Sequence, residues 1–404
     1  MALVITQQPL TYMPMGNSQF FSATSTNTAQ PNHTYTVVAT DIASSESRTY
    51  QIPARPDGAM VFDAKSFAEQ YISTVLTYLP SGWQKFPAVK KIRVNVGETY
   101  GSTPTYYAGS NIDYYVWNGI VDYLPFVTYA AENYYYDASV PYTNTFYGIT
   151  SDITYSLRSS YLMVLNKFVG TALSSIRIRT FNSAGSILGV YKIDNPYATP
   201  ANLSESYVSI DIGHKGLTGI SAGLVTVVSG TYPIMTSSVA SYEVSGVRGV
   251  NFDLIKNFTV NCEARYTVYT VHFLAKNGGF GTIHFNRISE FNLSKSEQTY
   301  KVNPNQLTSG AYGYAYETAV ERQLTVETQA VMTLRTDWLT DEQVNFYEEI
   351  LDSPICYLDT GTGRYQRIIP VTNSYNRLPH YENPLFMMTM QFKATHTNGR
   401  QIGQ

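Results

Sequence analysis

The chain has 404 residues, of which 44% are hydrophobic and only 14% are charged. Intrinsic disorder needs low hydrophobicity and high net charge, so this composition excludes a disordered or polyelectrolyte protein. The formal net charge of -3 provides no global positive field for a phosphate backbone, which argues against sequence-independent nucleic-acid binding.

The length predicts two or three domains, each large enough to bury a core without disulfides or metals. Two cysteines, Cys262 and Cys356, cannot form a disulfide framework, and we interpret them as free thiols rather than as a single bridge. The N-terminus lacks the basic region and apolar stretch of a secretion signal, and no apolar run approaches the roughly 20 residues that span a bilayer. The expectation is a soluble protein with no membrane contact.

Short segments of alternating polarity, separated by Gly, Pro, Asn and Ser, are typical of β-sandwiches and barrels. In the first predicted domain, residues 1–99, they predict strands at residues 19–24, 34–40, 49–52, 60–62 and 89–96. Between the last two strands, a capping box formed by Ser66 and Glu69 predicts a helix. One apolar stripe indicates that this helix packs on a sheet: Phe67, Tyr71, Val75 and Leu79.

Tyrosine is unusually frequent, with 35 residues against 18 Phe and 3 Trp. Within residues 100–147 the periodicity breaks down, which predicts a long aromatic loop of the kind that is usually functional. Three interpretations of its rings stay open: they contact a neighbouring subunit, they fill the core of their own domain, or they stack on sugar rings. The segment contains no Lys or Arg, which argues against stacking on nucleic acid. The interface candidates are Tyr106, Tyr107, Tyr114, Tyr115, Trp117, Tyr134, Tyr135 and Tyr136.

Regular strands are predicted again beyond this loop. In the middle region, residues 100–248, they lie at residues 161–165, 175–181, 187–193, 207–212 and 224–228, and the region is either a separate domain or an insertion. In the last domain, residues 249–404, residues 265–275 and 281–287 form a hairpin, and residues 324–334 alternate as a half-buried strand. A capping box of Thr340 and Gln343 starts a helix, followed by a hairpin of residues 356–358 and 367–371 and a closing strand at residues 386–392. The predicted fold class is mainly β, multi-domain and sandwich-like or barrel-like, with a few short helices packed on sheets.

No phosphate-binding loop, nucleophile elbow, metalloprotease helix or zinc-ligand spacing occurs in the sequence. The expectation is therefore a protein that is not an enzyme and has no cofactor. Glycoside hydrolysis needs two carboxylates in one cleft, and the candidates are the acids beside the tyrosines. The preferred interpretation is that these acids lie near one another by chance and do not form a catalytic pair. These acids are Asp113 with Asp122 and Glu132 with Asp137.

The only metal-ligand candidates are His272 and His284. If the hairpin loop consists of residues 277–279, the two imidazoles lie opposite each other on one face of the hairpin. Two ligands make a weak metal site, so the preferred interpretation is that both imidazoles lie on a solvated sheet face and bind no metal.

Three stretches of the chain resemble virion proteins of tailed phages that infect Bacteroidetes-type hosts, including crAss-like phages. These are the opening ITQQPLTYMPMGNSQFFSATSTNTAQPNHTYTVVATD, the hairpin FLAKNGGFGTIHFNR, and the run TLRTDWLTDEQVNFYEEILDSPICYLDTG with RIIPVTNSY after it. The resemblance covers about the first hundred residues and residues 255–404, and transfers no catalytic residue. It implies a multi-copy tail, tail-hub or neck-ring component, assembled in the cytoplasm of the host bacterium and carried in the virion.

The composition agrees with this implication, because a charge-poor, tyrosine-rich β subunit has polar aromatic surface and little repulsion between copies. The leading hypothesis is a ring-like homo-oligomer that docks to other tail or portal-proximal virion proteins. The alternative is an adhesin that binds host surface glycan through the aromatic loop. Residues 2–18 form either a first strand or an arm that reaches a neighbouring chain.

Overall fold

The fold is taken from a computed structural model. It describes residues 3–71, 76, 82–101, 105–106, 111–134, 136, 149–166, 173–198, 206–248, 250–261, 264–301, 305–308, 311–314, 321–359, 361, 364–372, 386–395 and 398–401. The predicted fold class is confirmed, since the chain is mainly β, with several sheets and a few short helices. No helix in these ranges is long and apolar enough to cross a membrane.

The chain divides into two compact units. Unit 1 comprises residues 1–263 and 273–282, and unit 2 comprises residues 264–272 and 283–404. This division differs from the three predicted domains, because each predicted boundary passes between strands that are hydrogen-bonded to each other. The strand Val89–Thr99 pairs with Ile112–Trp117 across the first boundary, and Ser241–Arg248 pairs with Asn251–Asn261 across the second.

The N-terminal part of unit 1 has two sheets around one core. Its strands are β1 (Leu3–Gln7), β2 (Tyr12–Pro14), β3 (Phe20–Ser25), β4 (Thr34–Asp41), β5 (Ser47–Pro53), β6 (Ala59–Asp63), β7 (Gln84–Lys85), β8 (Val89–Thr99), β9 (Thr105–Tyr106) and β10 (Ile112–Trp117). One sheet has the order β1-β3-β6, and the other has the order β2-β10-β8-β4-β5, with β9 paired to β8. Alternate residues face the shared core, such as Val37 and Ala39 of β4 and Val94 of β8.

The first helix is shorter and starts earlier than predicted. Helix α1 (Lys65–Ala68) has Ala64 as its N-cap, and a 3-10 turn follows at Glu69–Tyr71. The predicted capping box is wrong, since no side chain caps the N-cap position and the carboxylate of Asp63 instead accepts a hydrogen bond from the Lys65 N–H. Phe67 is buried as the stripe predicted, while Val75 and Leu79 lie outside the described residues.

The remainder of unit 1 contains a six-stranded and a three-stranded sheet. Its elements are α2 (Tyr123–Val127), a 3-10 turn at Ala131–Asn133, β11 (Ser151–Tyr155), β12 (Tyr161–Leu165), β13 (Ser175–Phe181), β14 (Ile187–Asp194), β15 (Tyr207–Asp211), α3 (His214–Gly219), a 3-10 turn at Ala222–Leu224, β16 (Val225–Ser229), β17 (Ser241–Arg248) and β18 (Asn251–Asn261). The six-stranded sheet has the order β11-β18-β17-β13-β14-β16, and the other has the order β12-β15-β7. Ile176, Ile178 and Val244 are fully buried, as expected for the alternation of β13 and β17.

Unit 2 contains one large sheet. A hairpin contributes two strands to this sheet, and residues 273–282 at the tip of the hairpin belong to unit 1. The elements are β19 (Tyr269–Leu274), β20 (Phe280–Phe285), β21 (Glu290–Lys301), β22 (Asn305–Thr308), β23 (Ala311–Tyr314), β24 (Glu321–Leu339), α4 (Asp341–Tyr347), α5 (Glu349–Asp352), β25 (Cys356–Asp359), β26 (Tyr365–Pro370), β27 (Phe386–Ala394) and β28 (Asn398–Gln401). The sheet order is β20-β19-β25-β26-β27-β24-β21, with β28 paired to β24 and with β22 and β23 in a separate hairpin. The Thr340 and Gln343 capping box at α4 is confirmed.

The tip of the β19–β20 hairpin, residues 273–282, packs within unit 1. The Ala275 N–H donates to the Gly279 carbonyl at 2.8 Å, so the loop is one residue earlier than predicted. The loop is anchored from two sides, because the Ile120 N–H donates to the Lys276 carbonyl at 2.8 Å and the Lys276 ammonium pairs with Asp122 at 2.8 Å.

Candidate functional site

Several of the predicted interface rings form part of the core of unit 1. Tyr114 lies on β10, its ring contacts Phe21 at 5.8 Å, and its hydroxyl donates to the Gln19 side-chain oxygen at 2.8 Å. Trp117 at the end of β10 and Tyr136 are also buried. Burial removes these three residues from the candidate interface, because no partner reaches them while unit 1 is folded.

The other candidate rings are half-buried or outside the described side chains. Tyr115 stacks on Tyr12 at 5.1 Å, and Tyr134 stacks on Trp117 at 5.9 Å and on Tyr129 at 5.1 Å. The side chains of Tyr106, Tyr107 and Tyr135 lie outside the described part of the chain. The segment is also less loop-like than predicted, since it contains β10 and α2. The described candidate rings therefore pack mostly on other rings.

The acids considered for hydrolysis are dispersed among separate contacts. Asp113 pairs with Arg93 at 2.7 Å and Lys91 at 2.8 Å, and these cations lower the pKa of its carboxyl to about 2. Asp122 pairs with the hairpin tip, Glu132 lies in an exposed 3-10 turn, and Asp137 lies outside the described residues. A carboxyl with the pKa of Asp113 is ionised at neutral pH and is not a general acid.

The two candidate metal ligands are buried, which corrects the prediction of a solvated sheet face. His272 contacts the ring of Tyr365 at 5.2 Å, and Nδ1 of His284 lies 2.9 Å from Oγ1 of Thr270. The shift of the hairpin loop therefore places Thr270, rather than His272, beside His284. Among the described residues, no group of three or more His, Cys, Asp or Glu side chains is arranged to hold a metal ion. Cys356 is a buried free thiol, and burial raises its pKa to about 12, while Cys262 lies outside the described residues.

A long β-ribbon of unit 2 is the most exposed regular element that the structure describes. Strand β24 has 19 residues, and at about 3.3 Å per residue its length is roughly 60 Å. Residues 321–333 of β24 pair antiparallel with β21, so that Glu321 lies opposite Lys301 and Thr333 lies opposite Glu290. On the other side of β24, β28 pairs with residues 325–328. We call β21 together with residues 321–333 of β24 the arm.

The arm exposes apolar side chains on a face that is buried elsewhere in the sheet. Met332 and Leu334 are buried on one face of β24, and Phe291 and Leu293 of β21 lie on the same face opposite Met332 and Ala330. Phe291 is 55% exposed and Leu293 is 79% exposed, and every described side chain of β21 is exposed. The apolar face of the sheet therefore continues into the arm without a covering layer.

The arm contacts the rest of unit 2 at its base, where the ring of Phe291 lies 5.4 Å from the ring of Tyr269. Its other described side-chain contacts are mostly polar. Arg335 donates to Glu290 at 2.7 Å, and Thr299 donates to Glu321 at 2.7 Å. Exposed pairs of this kind contribute little stability. Strand β28 pairs with residues 325–328 and β27 pairs with residues 331–333, so the described arm is two-stranded mainly at residues 321–324, and a two-stranded ribbon is marginally stable in water by itself. Exposed apolar side chains on a regular element are typical of a surface that becomes covered on assembly.

The sequence did not predict the arm. Alternation predicted a strand at residues 324–334, but gave no indication that the strand is much longer or that its partner is exposed on both faces. In the segment considered as a possible arm, residues 2–18, the described residues 3–18 instead belong to the sheets of unit 1, because β1 pairs with β3 and the Met15 N–H donates to the Trp117 carbonyl at 2.9 Å. The charge-balanced composition of β21, with two acids and two lysines, was the available signal.

No protein-family model matches the sequence, and a search of curated proteins finds no match.

Proposed function

We propose that this protein is a structural subunit of a tailed-phage virion, a tail, tail-hub or neck-ring component that assembles symmetrically with its own copies, docks to adjacent virion proteins and catalyses no reaction. The observation that carries the proposal is the arm, whose apolar side chains Phe291 and Leu293 are exposed. Contact with a neighbouring subunit buries these side chains.

Symmetric assembly follows from the position of the apolar residues. A closed ring buries the same patch at every interface, so one apolar stripe on each arm is repeated around the ring. The net charge of -3 over 404 residues keeps electrostatic repulsion between copies small. Both properties support a multi-copy protein.

The virion assignment comes from the resemblance of the opening residues, the β19–β20 hairpin and the β24–α4 region to phage virion proteins. That resemblance includes the base of the arm, since the run TLRTDWLTDEQVNFYEEILDSPICYLDTG begins at Thr333. The proposed place of function is therefore the phage particle.

The test replaces the apolar stripe of the arm by charge. Phe291→Asp combined with Leu293→Asp is expected to raise the concentration for half-assembly by about tenfold or more, because each interface then buries two unpaired carboxylates. The measurement is native mass spectrometry across a concentration series, with the wild-type protein beside the variant.

Val250→Asp is the matched control, because Val250 is 89% exposed in the turn between β17 and β18 of unit 1. This variant is expected to assemble like the wild type. The proposal is overturned if the wild type stays monomeric at every concentration and in the presence of the other virion proteins, or if the arm variant assembles normally.

A further inference from the structure

A second exposed strand lies at the edge of the six-stranded sheet of unit 1. Strand β16 pairs with β14 from Val225 opposite Ile193 to Ser229 opposite Val190, and it is the last strand of its sheet among the described residues. Four of its five residues are exposed, including Val227 at 41% and Val228 at 64%. The register shifts at this point, since Tyr191 lies opposite Val227 and Val190 lies opposite Ser229, so Val228 has no residue opposite it on β14.

This edge is short and its register shifts at Val228, but it lacks the charges and prolines that usually prevent strand addition. Residues 216–242 contain no Asp, Glu, Lys or Arg, and β16 itself contains no Pro. In contrast, the exposed edge strand β5 includes Arg48 and ends at Pro53. Charges and prolines on an edge strand oppose pairing with another chain, so β16 is the less protected of these two edges.

The arm has a complementary free edge. Strand β21 is the last strand of its own sheet and has hydrogen-bonding groups along the side that does not face β24. Its charges are Glu290, Lys295, Glu297 and Lys301, which sum to zero. A charge-balanced strand meets no net repulsion at an edge without charges, and its Phe291 and Leu293, which share one face, supply apolar area beside the exposed valines.

We infer that the free edge of β21 in one copy of the chain pairs with the free edge of β16 in the next copy, so that the arm adds a strand to the neighbour's sheet. The inference rests on the proposed self-assembly and names its contact. Strand addition satisfies backbone groups on both edges, while the side chains determine which edges pair.

The pairing joins two different surfaces, and such heterologous contacts produce closed rings when the rotation between copies closes. Pairing of β16 with β16 of a second copy would instead produce a twofold dimer and leave the arm uncovered. Of these two pairings, only that of the arm with the β16 edge builds a ring through this contact.

The test is photocrosslinking in mixed assemblies. The photoreactive residue p-benzoylphenylalanine replaces Leu293 in protein of natural isotope content, which is mixed with protein labelled with 15N, assembled and irradiated. The expected product joins residue 293 of the light copy to a heavy peptide that contains residues 225–229. The same crosslinker at Val250 is the control and is expected to leave the β16 peptide unmodified.

A variant of the acceptor edge gives an independent measurement. Val228→Lys places a charge on an already exposed side chain, so unit 1 is expected to remain folded, as checked by circular dichroism. We expect this variant to raise the concentration for half-assembly by about tenfold, as the arm variant does.

The outcomes separate the two proposals. Assembly with crosslinks from residue 293 to another surface overturns the β16 contact and leaves self-assembly standing, and so does normal assembly of the Val228→Lys variant. A crosslink from residue 293 to β16 of its own light copy also overturns the intermolecular contact. The absence of any assembly overturns both.

Discussion

At the scale of single residues, Asp113 on β10 is stabilised by the cations of the neighbouring strand. Arg93 and Lys91 of β8 lie within 2.8 Å of its carboxylate. The hydrogen bond from Arg93 is the main cause of the lowered pKa, and burial of the carboxylate acts in the opposite direction. The residue therefore links two strands and is not a proton donor.

This pKa predicts a pH-dependent contribution to folding. The pKa of Asp113 falls from 3.8 to about 2 on folding, so its carboxylate stabilises the folded state above about pH 4 and loses this effect as the pH falls through about 2. Asp113→Asn is expected to lower the free energy of unfolding by about 1 kcal/mol at pH 7, because the pair is partly exposed and screened. Urea unfolding from pH 7 down to pH 2.5 is the measurement, and the difference from the wild type is expected to shrink across the acidic range.

Glu132→Gln is the control for this experiment, since Glu132 lies in an exposed turn. It is expected to unfold like the wild type at every pH. A loss of stability in Asp113→Asn that is the same at pH 7 and pH 2.5 would show that the ion pairs are not its cause.

The tyrosines show which residue-scale properties could not be predicted. The residue types in the segment 100–147 gave three interpretations, and the buried positions of Tyr114, Trp117 and Tyr136 favour the core interpretation for these rings. Tyr is compatible with both core and surface, because one ring has an apolar body and a polar tip. Only neighbours that are distant in sequence, such as Gln19 for Tyr114, determine which role each ring has.

At the scale of elements, the loop of the β19–β20 hairpin depends on one glycine. Gly278 has a φ of +79°, and a Cβ at this position would lie 1.3 Å from the carbonyl oxygen of Asn118. At Gly278 the loop therefore lies too close to the backbone of Asn118 for any residue that has a side chain.

Gly278→Ala is expected to lower the free energy of unfolding by about 3 kcal/mol or more. The added methyl group forces the backbones of residues 278 and 118 apart, and the positive φ is unfavourable for alanine. The matched control is Gly185→Ala in the β13–β14 turn, where φ is +77° but no atom lies within 4 Å of the added Cβ. This control is expected to lose only about 1 kcal/mol from the left-handed φ. Urea unfolding of both variants is the measurement, and equal losses would contradict the close approach.

The helices show why some elements were predicted correctly and others were not. The start of α4 is determined by Thr340 and Gln343, which are three residues apart and bond to each other's backbone through their side chains. The start of α1 is determined by Asp63 at the end of β6, which also accepts a hydrogen bond from the Gln19 N–H at 2.8 Å. A local capping pattern at Ser66 does not overcome this contact between distant parts of the chain.

At the scale of the whole molecule, assembly is expected to change which bonds are open to a protease. Strand β21 of the arm is exposed and lies at the edge of its sheet among the described residues, so it separates more readily than the buried strands of the sheets. We expect trypsin to cut the unassembled chain first after Lys295 or Lys301, and to cut there more slowly in the assembled protein. Mass spectrometry of the first fragments, below and above the assembly concentration, is the measurement.

Lys90 is the internal control, because it lies on the central strand β8 and is expected to resist cleavage in both states. First cuts that occur elsewhere than in the arm would contradict its low local stability. Cuts at the same rate in both states would contradict its protection by a neighbour.

The sequence by itself determined the mainly β class, most of the strands, the capping box of α4 and the presence of the β19–β20 hairpin. These features depend on residue types that are near each other in the chain, through alternation, turn residues and capping pairs. The tertiary structure decided the division into two units, the burial of the tyrosines and histidines, the position of the hairpin loop and the exposure of β16 and β21. Those features depend on which distant strands cover a given face, and the residue pattern of a strand is the same whether a neighbouring strand covers it or not.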